Sequence, residues 1–240
     1  MSNTAETRVD VPIIVTAGRS LALALVEYRA KPTNPERLWN FQEAHWNLNR
    51  FAMGLSPRDV KVLDCPYTEA QMKKFMGAKR FSRVSYPDFA LFLPEVASTA
   101  PEGLRLLGKA YPKMGWDEAD IAGVSNINRK GNPVVQFGWI RTEKSIDAPH
   151  TQTDEDAAEK AIEEGRIGQT LNIYVEAGNQ SKLLTGEYLD EKRTYVRVLN
   201  ARIRARVVDA HFLGGGRCYV GWGLGPGCVY GGLGVRSVGV

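Results

Sequence analysis

Residues 218–238 read CYVGWGLGPGCVYGGLGVRSV, and this stretch decides how the rest of the chain is understood. From Gly221 to Gly227 every second residue is glycine, with Trp222, Leu224 and Pro226 in between. Successive side chains of an extended chain point to opposite faces, so one face here is bare and the other carries bulk. Eleven of the 24 glycines lie from Gly214 onward. A tail built this way is either a long glycine-rich loop or a scaffold presenting a surface on one side. The segments Cys218-Tyr219-Val220 and Leu233-Gly234-Val235-Arg236-Ser237-Val238 both read as strands.

Working outward, the period becomes two from Thr194: Tyr195, Val196, Arg197 and Val198, then Arg202 through Val208, the mark of half-buried strands. Arg202, Arg204 and Arg206, with Arg197 nearby, read as the solvent face of a strand guarding an edge; a phosphate-contacting stripe would want interleaved aromatic platforms. Further upstream the period is helical. Asn34-Pro35-Glu36 supplies a cap, a first-turn proline and an acid ahead of the apolar face Leu38, Trp39, Phe41, His45, Trp46, Leu48 and Phe51. Thr68 and Gln71 form a capping box before Met72, Phe75 and Met76, and Gly77 ends that helix. Tyr86 to Pro101, broken by Pro87, Pro94 and Pro101, reads as an irregular connection with short helical turns around Phe89 to Leu93. A strand is expected from Val134 to Arg141, a helix from Asp154 to Glu164 after Thr153, and another from Leu171 to Leu184, in whose middle Gly178-Asn179 costs stability. The fold class is α+β: a mainly helical region over 1–100 followed by a mixed domain over 101–240.

The chain has 43% hydrophobic and 24% charged residues and a net charge of +4, ordinary for a globular protein, and nucleic-acid binding is not implied. No apolar run approaches the roughly 18 residues of a membrane span. Val11–Ala17 is too short for an export signal and lacks a basic leader, so a soluble, cytoplasmic protein without membrane insertion is expected. Three cysteines, Cys65, Cys218 and Cys228, argue against a secreted disulfide framework, although whether Cys218 and Cys228 pair stays open. His45, His150 and His211 are scattered without metal-ligand spacing; His45 reads as a satisfied core residue. With no phosphate loop and no serine elbow, no catalysis, metal or cofactor is expected.

The ending Leu233-Gly234-Val235-Arg236-Ser237 resembles the closing G-x-R strand of the C-type lectin fold as it occurs in formylglycine-generating-enzyme-like proteins and in the variable proteins of diversity-generating retroelements. Val220-x-Trp222-x-Leu224-x-Pro226 is similar to the scaffold residues that separate mutagenised positions there. The resemblance covers Tyr195 to Val240, and more loosely Val134 onward. It implies a C-type lectin-like domain that recognises a protein or peptide through variable positions Tyr219, Gly221, Gly223, Gly225, Gly227, Cys228, Val229, Tyr230 and Gly231. Val220, Trp222, Leu224, Gly234 and Arg236 would hold them. Such systems copy a template with replacement at adenines, and the favoured asparagine codon AAC can become Gly, Cys, Val or Tyr but not Lys, Glu, Gln, Met or Trp. All nine candidates belong to the reachable set; Trp222 does not, and it falls in the scaffold. Tyr219 and Tyr230 are the expected contact residues, since tyrosine supplies large rigid area at small entropic cost. Two alternatives remain: a fold-related copper or thiol oxidase using Cys218 and Cys228, and an intracellular scaffold whose glycine tail packs against a partner subunit. A homo-oligomer is compatible with any of them.

Overall fold

Asn34, Pro35 and Glu36 start a helix for separate reasons. The Asn34 side chain accepts a hydrogen bond from the Arg37 backbone N–H at 2.9 Å, the proline sits where no intrahelical N–H is needed, and the acid faces the positive end of the helix dipole. The computed structural model describes residues 11–77, 87–111, 124–126, 137–162 and 165–239. Helix α1 spans Val11–Ala30 and α2 spans Pro35–Met53, closed by Gly54 at φ 71°. The two pack together through Tyr28 stacked on Phe41, ring centroids 5.4 Å apart, while Leu23 and Val26 on α1 stay exposed. Helix α3 (Glu69–Met76) begins with both bonds of the Thr68–Gln71 capping box.

Strand β1 follows, Asp88–Leu93, with all six residues buried. The expectation of an irregular, partly helical connection over Phe89 to Leu93 is therefore corrected. Pro87 and Pro94 flank the strand without interrupting it, and both faces are covered, so no polar alternation betrays it. Edge strands expose backbone groups that need partners. Here α2 supplies them: Phe92 N–H donates to Gln42 Oε1 at 3.1 Å, and Trp46 Nε1–H donates to Phe92 O at 2.9 Å.

Helices α4 (Glu95–Ser98) and α5 (Glu102–Ala110), strands β2 (Val124–Asn126) and β3 (Gly138–Glu143), helix α6 (Glu155–Ala161, capped by Asp154) and strand β4 (Arg166–Gly168) come next. Helix α7 (Leu171–Thr185) is buried from Leu171 to Ser181. Its Gly178 is required: a Cβ there would lie 2.1 Å from the Phe212 ring, so packing accounts for the glycine that propensity disfavours. The buried side chains of α2 and α7 meet in a polar seam, with His45 Nε2 2.7 Å from Glu176 Oε1 and Gln180 Nε2 donating to Gln42 Oε1 at 3.0 Å. Strands β5 (Tyr195–Ile203), β6 (Arg206–Leu213), β7 (Arg217–Leu224), β8 (Leu233–Gly234) and β9 (Ser237–Gly239) complete the chain. The expected strand residues Val134–Gln136 lie outside the described residues.

The strands form two sheets. One is ordered β1-β3-β9-β4 and the other β2-β5-β6-β7, with β8 parallel to β5. The mixture of helices and antiparallel strands makes this an α+β protein. One apolar cluster runs from Trp46 and Met53 through Phe89 and Leu104 to Phe212 and Val238, so the core is continuous across the division expected at residue 100. No helix among the described residues is long and apolar enough to cross a membrane.

The arginine alternation does not form a stripe. Arg204 occupies the β5–β6 turn at φ 57°, Arg202 pairs with Glu155 at 2.5 Å, and Arg197 is buried. The bulge between Val198 and Arg202 breaks the alternation that the sequence suggested.

The two sheets are joined at the closing segment. Between β8 and β9, Arg236 is fully buried. It donates from Nε to Asp190 Oδ2 at 2.8 Å and from Nη1 and Nη2 to the carbonyls of Ser145 and Ile146 at 2.9 and 2.8 Å. Removing one member of such a pair leaves an uncompensated charge. Arg236→Ala is expected to cost about 3–5 kcal/mol in urea unfolding. Wild-type stability in Arg236→Ala would refute the assignment.

Candidate binding face on the second sheet

Strand β7 sorts its residues by alternation. Cys218 and Val220 are buried against the core, Trp222 is half-buried at its margin, and Arg217, Tyr219 and Gly223 point to the other side. The register then fixes which residues share that outer face. Arg197 lies opposite Asp209, and Asp209 opposite Gly221. One step along, His211 lies opposite Tyr219. The Tyr195, His211 and Tyr219 rings are in contact, with centroids 6.3 and 5.2 Å apart along the row.

The loop after β7 borders this face and is held by its main chain. Glu155 N–H donates to Pro226 O at 3.0 Å, Arg197 donates to Cys228 O and, at 3.2 Å, to Thr153 O, and Tyr195 N–H donates to Gly232 O at 2.9 Å. The Gly225 N–H donates to Cys228 Sγ at 3.3 Å. The side chains of Val229 and Tyr230 are left 52% and 50% exposed. Tyr230 lies close enough to Tyr195 to raise its pKa electrostatically, second to burial and the Asp209 charge.

Space for side chains differs sharply among the glycines. At Gly223, Gly227 and Gly231 a Cβ would meet nothing within 4 Å, and at Gly225 only Cys228 Sγ at 3.9 Å. At Gly234 it would lie 2.6 Å from Pro149 O. Gly221 is intermediate: it is buried, and a Cβ there would sit 3.0 Å from both Asp209 Oδ2 and the Tyr219 ring. Of the nine expected contact positions, Tyr219, Gly223, Gly227, Val229, Tyr230 and Gly231 are exposed, Gly225 and Cys228 are half-buried, and Gly221 lies beneath its neighbours. The expected scaffold residues Val220, Gly234 and Arg236 are buried, and Trp222 and Leu224 half-buried.

Cys218 and Cys228 are both free. Burial pushes the Cys218 thiol far up, which works against the thiolate that a copper site or a redox exchange needs. Among the described residues no three His, Cys, Asp or Glu side chains are grouped to hold a metal ion.

No protein-family model, curated protein or solved structure matches this chain.

Three residues of the face lay outside the sequence reading: Tyr195, Asp209 and His211 as members of a site. Asp209 is 9% exposed. Burial raises its carboxyl to about 6, opposed only by its own backbone N–H. His211 is pushed down by burial, and its Nδ1 is buried without a hydrogen-bond partner. The signal available in the sequence was an acid inside the apolar run Val207-Val208-Asp209-Ala210, with His211 two residues on and hence on the same face.

A carboxyl raised on folding is ionised first in the unfolded chain, so the folded state loses stability as pH rises from ~4 to ~6 and does not recover above that. Asp209→Asn removes this dependence. The variant is expected to match wild type near pH 4 and to exceed it by about 1–2 kcal/mol at pH 7, read by urea unfolding across that range. Identical pH slopes in the two proteins would show that Asp209 is not desolvated.

Proposed function

We propose that the chain is a recognition protein with a C-type lectin-like domain, binding a protein or peptide through the outer face of β5, β6 and β7 and the loop 225–231, with its diversity concentrated in that loop and in β7. The observation that carries this reading is the division among the glycines. Four of the five glycines read as variable, Gly223, Gly225, Gly227 and Gly231, have room for side chains at ordinary backbone angles; Gly221 is the tight exception, and Gly234, read as scaffold, has no room. A surface can be exchanged without refolding only if the fold ignores its side chains. The main-chain anchoring of the loop through Pro226 O, Cys228 O and Gly232 O meets that requirement.

Tyr219 and Tyr230 supply rigid amphipathic area, and Tyr195 extends it from a strand outside the glycine-rich tail. With glycine at so many of the exchangeable positions this copy offers a shallow surface, and its contacts come from few side chains. The buried, high-pKa Cys218 speaks against the thiol oxidase as the alternative.

Two measurements test the reading. Serine, asparagine or tyrosine at 223, 227 or 231 is expected to change stability by no more than about 0.5 kcal/mol, whereas Gly234→Ala is expected to cost about 1–3 kcal/mol. Equal sensitivity at all four glycines would remove the structural basis for diversification. Sequencing the DNA that flanks the gene is expected to find a near copy of codons 219–231, differing only where the copy carries adenine, beside a reverse transcriptase. A flank without such a copy overturns the diversity-generating assignment.

A further inference from the structure

On the recognition reading above, we infer that the face takes a cationic side chain of its protein partner, an arginine or lysine, with Asp209 as the counter-charge and Tyr195, Tyr219 and Tyr230 as the walls around it. The argument begins from what the carboxylate lacks. Its cross-strand neighbour on one side is Arg197, the residue that would ordinarily neutralise it, but that guanidinium is turned to the carbonyls of Thr153 and Cys228 and holds the loop. Its neighbour on the other side is Gly221, which has no side chain, and the carboxylate lies over that glycine in the space a Cβ would enter. Along its own strand the next residue on the face is His211, whose charged form burial disfavours. Among the described residues the Asp209 side chain has no ion pair and no hydrogen bond to another residue; its carboxylate accepts only from its own backbone N–H.

A desolvated carboxylate without a cation destabilises the folded chain, and a ligand that brings one relieves it. The rings around it favour the same charge. Tyr195 and Tyr219 flank His211, Tyr219 is 44% exposed, and Tyr230 stands at the loop edge. Aromatic faces attract ammonium and guanidinium groups. An acidic or neutral ligand would leave the carboxylate buried and unpaired. A metal ion is poorly served by one carboxylate without other grouped ligands. Gly221 acts as the aperture: a side chain there would press on Asp209 and the Tyr219 ring at 3.0 Å, so glycine at this position keeps the carboxylate reachable.

The test is selection of a displayed random-peptide library on the full-length protein, counter-selected on the Tyr219→Ala, Tyr230→Ala double variant. The expected peptides are rich in arginine or lysine. Their affinity should fall at least about tenfold when the basic residue is replaced by citrulline or acetyl-lysine. A similar loss is expected against Asp209→Asn, a variant expected to fold at least as well as wild type, and against Gly221→Asn. Peptides that need the tyrosines but show no basic enrichment, or that bind Asp209→Asn equally well, would overturn the cation assignment and leave recognition standing. If no peptide distinguishes wild type from the tyrosine variant, the recognition reading falls and this inference with it.

Discussion

The buried ion pair of Arg236 with Asp190 is the constraint on which the closing half of the molecule depends. Strand β8 belongs to the five-stranded sheet and β9 to the four-stranded one, and only Val235 and Arg236 separate them. The guanidinium sits at that crossing and gathers the loop carbonyls of Ser145 and Ile146 together with Asp190. On one side the chain passes beneath Pro149, where only glycine fits at 234. On the other, Ser237 N–H donates to Glu143 Oε2 at 2.9 Å, and Arg166 reaches Asp88 at 2.7 Å, tying β9, β3, β4 and β1. A planar group with five donors can satisfy so many acceptors at once, and lysine cannot.

With the closing segment held there, the exposed residues of the face formed by β5, β6, β7 and the bordering loop, Tyr219, Val229 and Tyr230, stand outside the main core. The inner residues of these strands, Cys218, Val220, Val208, Ala210 and Phe212, belong to the main core. The outer residues contact each other and solvent, apart from Arg197, which is buried and holds the loop through the carbonyls of Thr153 and Cys228. Apart from the Gly225 N–H bond to Cys228 Sγ, the loop that borders the face is fastened by carbonyl oxygens, which every residue type supplies equally. Identity at the exposed positions is thereby decoupled from folding, the physical condition for a surface that changes while its support does not.

Much of the fold was legible because local chemistry and global structure agree. Asn34-Pro35 and Thr68-x-x-Gln71 start helices through bonds made within a few residues, and the inward placement of Val220 and Trp222 follows from period two. What was hidden depends on distant partners. β1 lacks alternation because both of its faces are covered, and Gln42 and Trp46 satisfy its edge. Helix α1 reads only as the apolar run Val11–Ala17, since its residues are apolar on more than one side and no single stripe stands out. Gly178 looked like a weakness until Phe212 was seen against it. The arginine alternation misled because a turn and a bulge fall inside it. Asp209 and Tyr195 could not be assigned to a site from sequence, because their meeting with Tyr219 is set by the register of three strands.

That register divides the labour of the face. Tyr195, Asp209 and His211 lie on β5 and β6, outside the glycine-rich tail, whereas Tyr219 and the 225–231 loop lie within it, and Gly221, where a Cβ would press on Asp209, stays tied to the carboxylate. On the proposed recognition reading, a carboxylate held by the sheet beneath the rim would set one electrostatic demand on partners, while the rim residues choose among those that meet it. Specificity is a difference of affinities, and an unpaired buried charge penalises every ligand that fails to neutralise it. With glycine at so many rim positions, this chain would on that reading owe its discrimination more to the penalty built into the sheet than to contacts made by the loop.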